Sequence, residues 1–390
     1  MAIPALSYPS YNLLENAIQA FGYENLSAFY STAFADKYDG VKWKNIYSLG
    51  DASISETYTQ IKSTKGIPVM ATYVAFDAEG GKIANEGFTM SAGDMPVMKL
   101  GFDYNDKSMK ETTKLYEMGA SVPLDRIFEK FVVNNAKIIG GIHSQINYTG
   151  FQIESTGGFT TTAVNNVGGV TGLAFDFSVP AVNKKKAGGF GSNGAKYAWS
   201  SASANPIGDL RDMYQWATDN LIPVGVFRMN KATFNALKDH ATTKAAINVS
   251  LYPGIAAANL TSLVVMDAQI NQYLLGIGLP PIEVVDELSS VEVFDPATRT
   301  MVRKSVRGFA DNTVLLRPAG QVGTLQWSMP SLAFSTPSDP QFLTEGGTMR
   351  VAQYVNPKAE SMTFEAKFIG IPVLDVPDYM IYLDTSQAAS

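Results

Sequence analysis

The sequence of 390 residues contains no cysteine and only two histidines. Without cysteine, the chain can form neither disulfides nor thiolate-ligated zinc or iron–sulfur centres, and it has no thiolate nucleophile. The two histidines, His143 and His240, lie in neither an H-x-x-x-H nor an H-E-x-x-H pattern. A metal site built on them is therefore not expected, and both are interpreted as ordinary packed or surface imidazoles.

Charged residues are also scarce, at 17% of the chain against an average of about 25%. Hydrophobic residues make up 46% and aromatic residues 11%. Such a composition favours a protein whose surface is largely covered by other subunits, although a large single-chain fold would explain it equally well. The net charge of −6 disfavours a nucleic-acid reader, because phosphate contacts need lysine and arginine. The basic cluster Lys184–Lys186 is interpreted as a solvated loop.

Long hydrophobic runs are missing as well. No stretch approaches the roughly 18 apolar residues of a membrane-spanning helix. The N-terminus has no basic segment of the kind found in signal peptides, since the first lysine is Lys37. From these features we expect the chain to stay in the cytosol in which it is made.

The strongest pattern that is present is helical and spans residues 121–151. A serine suited to the N-cap and a proline suited to the first turn precede apolar residues at helical spacing. A continuous helix from Val122 to Tyr148 would be roughly 40 Å long at about 1.5 Å per residue. Gly140 and Gly141 interrupt it at a cost of about 1 kcal/mol each relative to alanine. We therefore predict a bend or local flexibility at this pair.

Two kinds of segment precede this helix. Residues 1–50 are rich in aromatic residues, and a short helix is predicted from Leu13 to Phe21. Two extended segments, 61–76 and 82–100, then flank Gly80-Gly81 and predict a long β-hairpin.

The composition changes after the long helix. Residues 157–204 are rich in glycine, serine, threonine and asparagine and are predicted to form loops. The stretch at 189–194 matches G-x-G-x-x-G, but it neither follows a predicted strand nor opens a predicted helix, so a flexible loop is the interpretation. A Walker loop is excluded because Ala195 separates Gly194 from Lys196.

From residue 205 to residue 286, helices and strands alternate, which predicts an α/β region around one sheet. Its helices are predicted to be capped by Asn205, Asn230 and Asp267. Strands dominate from residue 291 onwards. A clean period of two at 362–368 predicts one strand with a buried face.

Patterns that carry catalytic chemistry are sparse. There is no G-x-S-x-G elbow, and no carboxylates are paired at a readable spacing. The sequence does not exclude a Ser-His-Asp triad, because the members of a triad need not be close in sequence. This near absence favours a structural role.

Taken in order, these parts resemble the major capsid proteins of tailed phages with the Hong Kong 97-type fold, in the branch typified by the phage lambda capsid protein E. Four stretches carry the resemblance. They are PLDRIFEKFVVNNAKIIGGIHSQINYTGF; DFSVP with YAWSSASANPIGDLRDM; IPVGVFRMNKATFNAL; and GIGLPPIEVVDE with NTVLLRPAGQVGT.

The resemblance implies an α+β chain with the domain order of that fold. The expected parts are an N-terminal arm (1–50), an extended β-hairpin or E-loop (51–105), a peripheral (P) domain with a spine helix (106–155), a mixed α/β axial (A) domain that includes the loop-rich segment 156–204 (156–335), and P-domain strands with the C-terminus (336–390). The family's long helix leads to a Thr-Gly turn, which here would be Thr149-Gly150.

The function implied is structural and not enzymatic, with no cofactor and no metal. Such a protein self-assembles through hexamers and pentamers into the icosahedral shell around the double-stranded DNA genome of a tailed bacteriophage. It would assemble in the host bacterial cytoplasm and end in the virion. Its partners would be further copies of itself, a portal, scaffolding or decoration proteins and, weakly, the packaged DNA, with no membrane.

Several residues are candidates for this function. The residues expected at subunit interfaces are Trp43, Lys65, Gly80, Gly81 and Lys82. Two other functions remain open, namely an encapsulin-like compartment shell of the same fold and a β-rich hydrolase with a deep polar pocket.

Overall fold

The computed structural model describes residues 41–62, 89–104, 124–191, 193, 196–254, 257–330, 341–344, 347–356 and 361–389. Helices and sheets are mixed along the chain, as the α+β fold class requires. The helices are α1 (Leu124–Thr156), α2 (Pro206–Asp219), α3 (Lys231–Asp239), α4 (Ala241–Leu251), α5 (Ala257–Leu260) and α6 (Asp267–Gly276), and a short 3-10 helix spans Lys42–Asn45.

Most of the strands fall into two large sheets. They are β1 (Tyr47–Ser53), β2 (Thr57–Lys62), β3 (Thr89–Asp94), β4 (Val97–Tyr104), β5 (Gly158–Thr160), β6 (Ala174–Asp176), β7 (Lys184–Ala187), β8 (Val226–Asn230), β9 (Ile282–Val285), β10 (Leu288–Asp295), β11 (Thr300–Arg307), β12 (Thr313–Arg317), β13 (Gly323–Ser328), β14 (Gln341–Thr344), β15 (Met349–Asn356), β16 (Ser361–Leu374) and β17 (Ile381–Ala388).

The first large sheet has six strands in the order β1-β13-β16-β15-β14, with β4 also paired to β16. The first half of β16 pairs with β4 and β15, and its second half pairs with β13. The strand predicted from the period of two at 362–368 is confirmed. Phe364, Ala366 and Phe368 are at most 1% exposed.

Helix α1 packs against this sheet. Its residues Ile138, Ile139, Ile142 and Ile146 are at most 3% exposed, and they belong with Phe364 to one hydrophobic cluster, here called the first core. At 33 residues the helix is about 50 Å long. The long helix predicted from the apolar spacing is thus confirmed.

The predicted end of this helix was wrong. Thr149 and Gly150 are helical, and α1 continues to Thr156, where Gly157 leaves the helix with a φ of +78°. Glycine adopts this left-handed conformation without the steric cost that a Cβ brings. The helix continues past Gly150 because Tyr47 packs on that glycine and donates a hydrogen bond to its carbonyl oxygen at 2.9 Å.

The Gly140-Gly141 pair lies inside the continuous helix. Gly141 has a packing reason to be glycine, since a Cβ there would come within 2.2 Å of Leu100 Cδ2 on β4. The close approach of β4 to the helix therefore explains one of the two glycines. The bend predicted at the pair stays a prediction.

The second large sheet has five strands in the order β7-β17-β12-β8-β9. All five residues of β8 are buried, and helices α2, α3, α4 and α6 contribute apolar side chains to the same cluster, here called the second core. The α/β region predicted for residues 205–286 is confirmed. The caps are confirmed at Asn205 and Asn230, whose side chains accept hydrogen bonds from Gly208 N and Thr233 N.

Two local predictions in this region were wrong. Asp267 is the first residue of α6 and not its cap, because Met266 occupies the N-cap position and its backbone N–H donates to Gln269 Oε1. The cluster Lys184–Lys186 is not a loop, since it forms most of β7, parallel to β17. Lysine on an edge strand hinders pairing with another chain, which accounts for this composition.

The pairings cross the expected domain boundary between residues 335 and 336 in both directions. Strand β13, from segment 156–335, pairs in the six-stranded sheet, whereas β17, from segment 336–390, pairs with β12 and β7 in the five-stranded sheet. The C-terminal strand therefore belongs to the second core. Among the helices described, none combines the length and the apolar character needed to cross a membrane.

Candidate functional site

Most of the predicted interface residues lie outside the described part of the chain. This holds for Lys65, Gly80, Gly81 and Lys82, as well as for the helix predicted at 13–21. Trp43 is described and is only 3% exposed, because its side chain packs inside the first core. It therefore has almost no surface to offer to a neighbouring subunit.

The base of the predicted hairpin is described and is tied to the six-stranded sheet. Strands β2 and β3 pair antiparallel from Thr57↔Asp94 to Lys62↔Thr89. Gln326 on β13 exchanges two hydrogen bonds with the backbone of Thr59, at 2.9 and 2.6 Å. The buried Gln60 side chain donates to Leu374 O at 2.8 Å. Gln326 and Gln60 thus attach the base of the predicted hairpin to the six-stranded sheet.

A buried charge cluster joins the two cores. Glu154, in the last turn of α1, is fully buried, and its Oε1 lies 2.9 Å from Arg317 Nε on β12 and 3.2 Å from Arg228 Nε on β8. The two arginines are 2% and 9% exposed at their side chains. An ion pair buried to this degree fixes the position of the helix end relative to the five-stranded sheet.

Further polar contacts complete the cluster. The Tyr382 hydroxyl on β17 donates to Glu154 O at 2.9 Å, and Arg317 Nη1 donates to Pro318 O at 2.9 Å and to Gly320 O. Burial raises the pKa of Glu154, while Arg228 and Arg317 oppose that rise. Burial likewise lowers the pKa of Arg317, against the attraction of Glu154. The charged forms of Glu154 and Arg317 therefore stabilise each other against the effect of burial.

A cleft of about 500 Å³ opens beside this cluster, between the 3-10 helix, α1 and β9. Its charged side chains are paired with each other, since Lys42 Nζ lies 2.8 Å from Glu287 Oε1 and Arg228 Nη1 lies 3.3 Å from Glu283 Oε2. The described residues include no group of three or more histidine, aspartate or glutamate side chains that could hold a metal ion. The arrangement is suited to holding two parts of the chain together.

The sequence analysis did not find this cluster, although a signal was present. Arg228 and Arg317 each stand in an apolar strand, VFRMN and TVLLR, where a charged residue needs a partner if it is buried. Nothing in the sequence identifies Glu154 as that partner, because it lies 74 and 163 residues away (228 − 154 and 317 − 154).

Two described residues of the glycine-rich stretch at 188–194, Gly188 and Asn193, contact helix α2 through its two buried carboxylates. Gly188 N and Trp199 Nε1 donate to Asp209 at 2.8 and 2.7 Å, and Asn193 Nδ2 donates to Asp212 Oδ1 at 2.6 Å. Burial raises the pKa of Asp209 to about 6, against the lowering effect of these hydrogen bonds. A bound phosphate would need N–H donors, and here the N–H groups of the stretch donate to carboxylates of α2 instead. The match to G-x-G-x-x-G is therefore explained by the packing of this loop on α2.

Both histidines are packed, as expected. His143 is 3% exposed, and its Nδ1 accepts a hydrogen bond from Trp43 Nε1 at 3.3 Å. His240 caps α4, where its Nδ1 accepts from Thr242 N at 3.3 Å and its Nε2 lies 2.9 Å from Ser201 O.

Large apolar side chains are exposed at several places in the described chain. These places include the turn between β1 and β2, the paired strands β10 and β11, and the region from the end of α4 to α6. The most exposed members are Ile54 (76%), Leu288 (58%), Met301 (58%), Val249 (54%), Val264 (86%), Met266 (67%) and Leu275 (60%). Contiguous exposed apolar surface is typical of sites of protein–protein contact.

Neither a protein-family model nor a curated protein matches the chain. Among solved structures, a phage-related protein from Bordetella bronchiseptica RB50 is similar, with 12% identity, 92% of this chain and 96% of that chain covered, and a TM-score of 0.47. The putative capsid protein of an Escherichia coli CFT073 prophage is 14% identical, and the similarity covers 90% of this chain and 97% of that chain with a TM-score of 0.47. The virus-like particle from Pyrococcus furiosus is 11% identical, and the similarity covers 93% of this chain and 98% of that chain with a TM-score of 0.38.

Proposed function

We propose that this chain is a structural subunit, the major capsid protein of a tailed phage, which self-assembles into an icosahedral shell around a double-stranded DNA genome. The observation that carries the proposal is the position of helix α1. Its middle packs on the six-stranded sheet, and its last turn is ion-paired to the five-stranded sheet. A hairpin base precedes it, and an α/β region and closing strands follow it. This is the order of parts that the sequence resemblance implies over nearly the whole chain.

The surface chemistry supports the same function. A shell subunit must offer several separate contact surfaces, and the described chain exposes large apolar side chains at several places. The low charged fraction of 17% leaves fewer groups that must be desolvated when copies meet. Elements that extend from the cores increase contact area without requiring a larger core.

The finer parts of the proposal follow from the resemblance. The division into an arm (1–50), an E-loop (51–105), P-domain parts (106–155 and 336–390) and an A domain (156–335) is proposed, with β13 and β17 exchanged between the last two. Hexamers and pentamers, a portal, scaffolding or decoration proteins, and weak contact with packaged DNA are the proposed partners. Assembly would take place in the host bacterial cytoplasm.

Purified protein tests the proposal by sedimentation velocity and negative-stain electron microscopy. We expect hexamers, pentamers or closed shells of megadalton mass. A protein that remains strictly monomeric over a wide range of concentration and salt contradicts the proposal. Particles isolated from cells that produce the chain together with its neighbouring genes should protect double-stranded DNA from nuclease, whereas an enclosed protein cargo would instead support the compartment shell.

A further inference from the structure

Strands β10 and β11 form a two-stranded ribbon that lies largely in solvent. Every residue of β11 except Val306 is exposed. Leu288 and Met301 are each 58% exposed and Val302 is 38% exposed. A two-stranded ribbon is at best marginally stable by itself in water, and exposed apolar side chains on it favour a partner.

The tip of the ribbon is held in place by its own side chains. Asp295 Oδ1 accepts a hydrogen bond from Ala297 N at 2.9 Å, and Oδ2 accepts one from Thr298 Oγ1 at 2.9 Å. Arg299 then takes a left-handed φ of +53°, which closes the turn into β11. The ribbon is therefore organised before any partner arrives.

The ribbon from Leu288 to Arg307 carries a net positive charge, because its basic side chains (Arg299, Arg303, Lys304 and Arg307) outnumber its acidic ones (Glu292 and Asp295). Arg303 pairs with Glu292 at 3.1 Å, and Arg307 pairs with Asp286 at 3.4 Å. Arg299 and Lys304 are exposed and make no ion pair with any other residue that the structure describes. Lys304 attracts Asp295 electrostatically without a direct ion pair, so Arg299 at the tip and Lys304 in the middle of the ribbon can both contact a partner.

The turn between β1 and β2 has the opposite character. Ile54 is 76% exposed at this turn, and Asp51 and Glu56 are exposed on either side of it. Asp94 on β3 is also exposed and stands opposite Thr57. Within the described ranges, none of these three carboxylates accepts a hydrogen bond or forms an ion pair. The turn therefore presents one exposed apolar side chain with three unpaired carboxylates near it.

We propose that the ribbon of one copy of this chain docks on the β1–β2 turn of a neighbouring copy. In this contact Val302 covers Ile54, and Lys304, which projects from the same face of the ribbon as Val302, faces the carboxylates of the turn together with Arg299. The inference rests on the proposed function, since it names one of the contacts through which copies form a shell.

A second copy is the occupant because the two surfaces complement each other in both polarity and charge. The surfaces are different, so the contact is heterologous, and contacts of this type form closed rings when the rotation between copies closes. Nucleic acid would satisfy the cations alone and would leave the apolar side chains of the ribbon uncovered. The acidic turn would repel it.

Paired charge reversals test the contact. Lys304→Glu on the ribbon and Glu56→Lys on the turn each place like charges together, and each should raise the protein concentration needed for assembly by about tenfold. The double variant should assemble near the wild-type concentration, because the charges are then exchanged. Lys186→Glu is the matched control, since it makes the same change of charge on an exposed lysine of β7 and should assemble like wild type. Sedimentation velocity over a concentration series gives the readout, with thermal unfolding as a check that every variant is folded.

The outcomes separate this contact from the function on which it rests. Wild-type protein that never assembles overturns the proposed function itself. If wild type assembles and Lys304→Glu assembles at the same concentration, the contact alone is overturned. An equal defect in Lys304→Glu and Lys186→Glu, or single defects without recovery in the double variant, overturns it too.

Discussion

His143 lies on α1 in the first core, where its Nδ1 accepts the hydrogen bond of the Trp43 indole. Burial lowers the pKa of His143 from 6.5 to about 4, with a smaller contribution from the charge of Lys44. Protonation would remove the acceptor for Trp43 and place a cation among apolar side chains. The neutral imidazole is thus the form that the folded chain accommodates.

Because the folded-state pKa of His143 lies below its ordinary value, protons favour the unfolded chain. The stability that this group contributes is fully present above pH 6.5 and is lost as the pH falls through about 4, with a loss of up to about 3 kcal/mol. His143→Asn keeps an acceptor and removes the titration. We expect the variant to lack this part of the fall in unfolding free energy when unassembled subunits are denatured chemically between pH 7 and pH 4.

The variant must be compared with wild type at each pH, because Asp209 changes the unfolding free energy with pH in the opposite direction. Its folded-state pKa of about 6 lies above the ordinary 3.8, so its contribution is present below pH 3.8 and is lost as the pH rises through about 6. The two effects partly cancel in wild type. A His143→Asn curve parallel to that of wild type would contradict the assignment.

At the scale of elements, two glycines of α1 differ in what surrounds them. A Cβ on Gly150 would lie 3.0 Å from Cε2 of Tyr47, a ring that is fully buried and tethered by its hydroxyl to Gly150 O. A Cβ on Gly141 would meet the end of Leu100, a side chain that is 43% exposed and free to swing away. The helix propensity gained with alanine is the same at both positions, about 1 kcal/mol.

We therefore expect Gly150→Ala to lower the unfolding free energy by about 1–3 kcal/mol, because the core around Tyr47 is overpacked. Gly141→Ala should change it by less than about 1 kcal/mol, since the shift of Leu100 is offset by the helix propensity. Chemical denaturation of both variants measures the difference. Equal effects at the two positions would show that Tyr47 moves as easily as Leu100.

These elements also show how far the sequence determines the fold. The existence of α1 and the starts of α2 and α3 could be predicted, because apolar spacing and the caps Asn205 and Asn230 are local signals. The end of α1 could not, since Thr149-Gly150 has the composition of a helix stop and only the distant Tyr47 explains why the helix continues. Strand β7 was missed for the same reason, as its partner β17 lies about 200 residues later in the chain.

At the scale of the whole molecule, Glu154 is the residue on which the relation of the two cores depends. Its carboxylate neutralises Arg228 and Arg317, which stand on neighbouring strands of the other sheet. A buried ion pair contributes little compared with apolar packing, but the loss of one partner leaves uncompensated charge and costs about 3–5 kcal/mol. The sequence suggests the buried arginines, whereas the choice of Glu154 depends on tertiary structure alone.

Glu154→Gln should accordingly uncouple the two cores. The substitution keeps the shape of the side chain, leaves the buried Arg317 without its anion and leaves Arg228 with only the exposed Glu283. We expect the unfolding free energy to fall by about 3–5 kcal/mol, with the second core opening before the first. Hydrogen exchange followed by mass spectrometry distinguishes the cores, since peptides containing β8 and β12 should lose protection earlier than peptides containing β16.

Glu283→Gln is the matched control, because Glu283 also pairs with Arg228 but its side chain is 58% exposed. An exposed pair of this kind contributes at most about 1 kcal/mol, so this variant should unfold in one transition like wild type. If Glu154→Gln also unfolds in one transition, with a stability within about 1 kcal/mol of Glu283→Gln, apolar packing alone holds the cores together. If the cores separate only in Glu154→Gln, the buried cluster is the contact that fixes the end of the long helix to the five-stranded sheet.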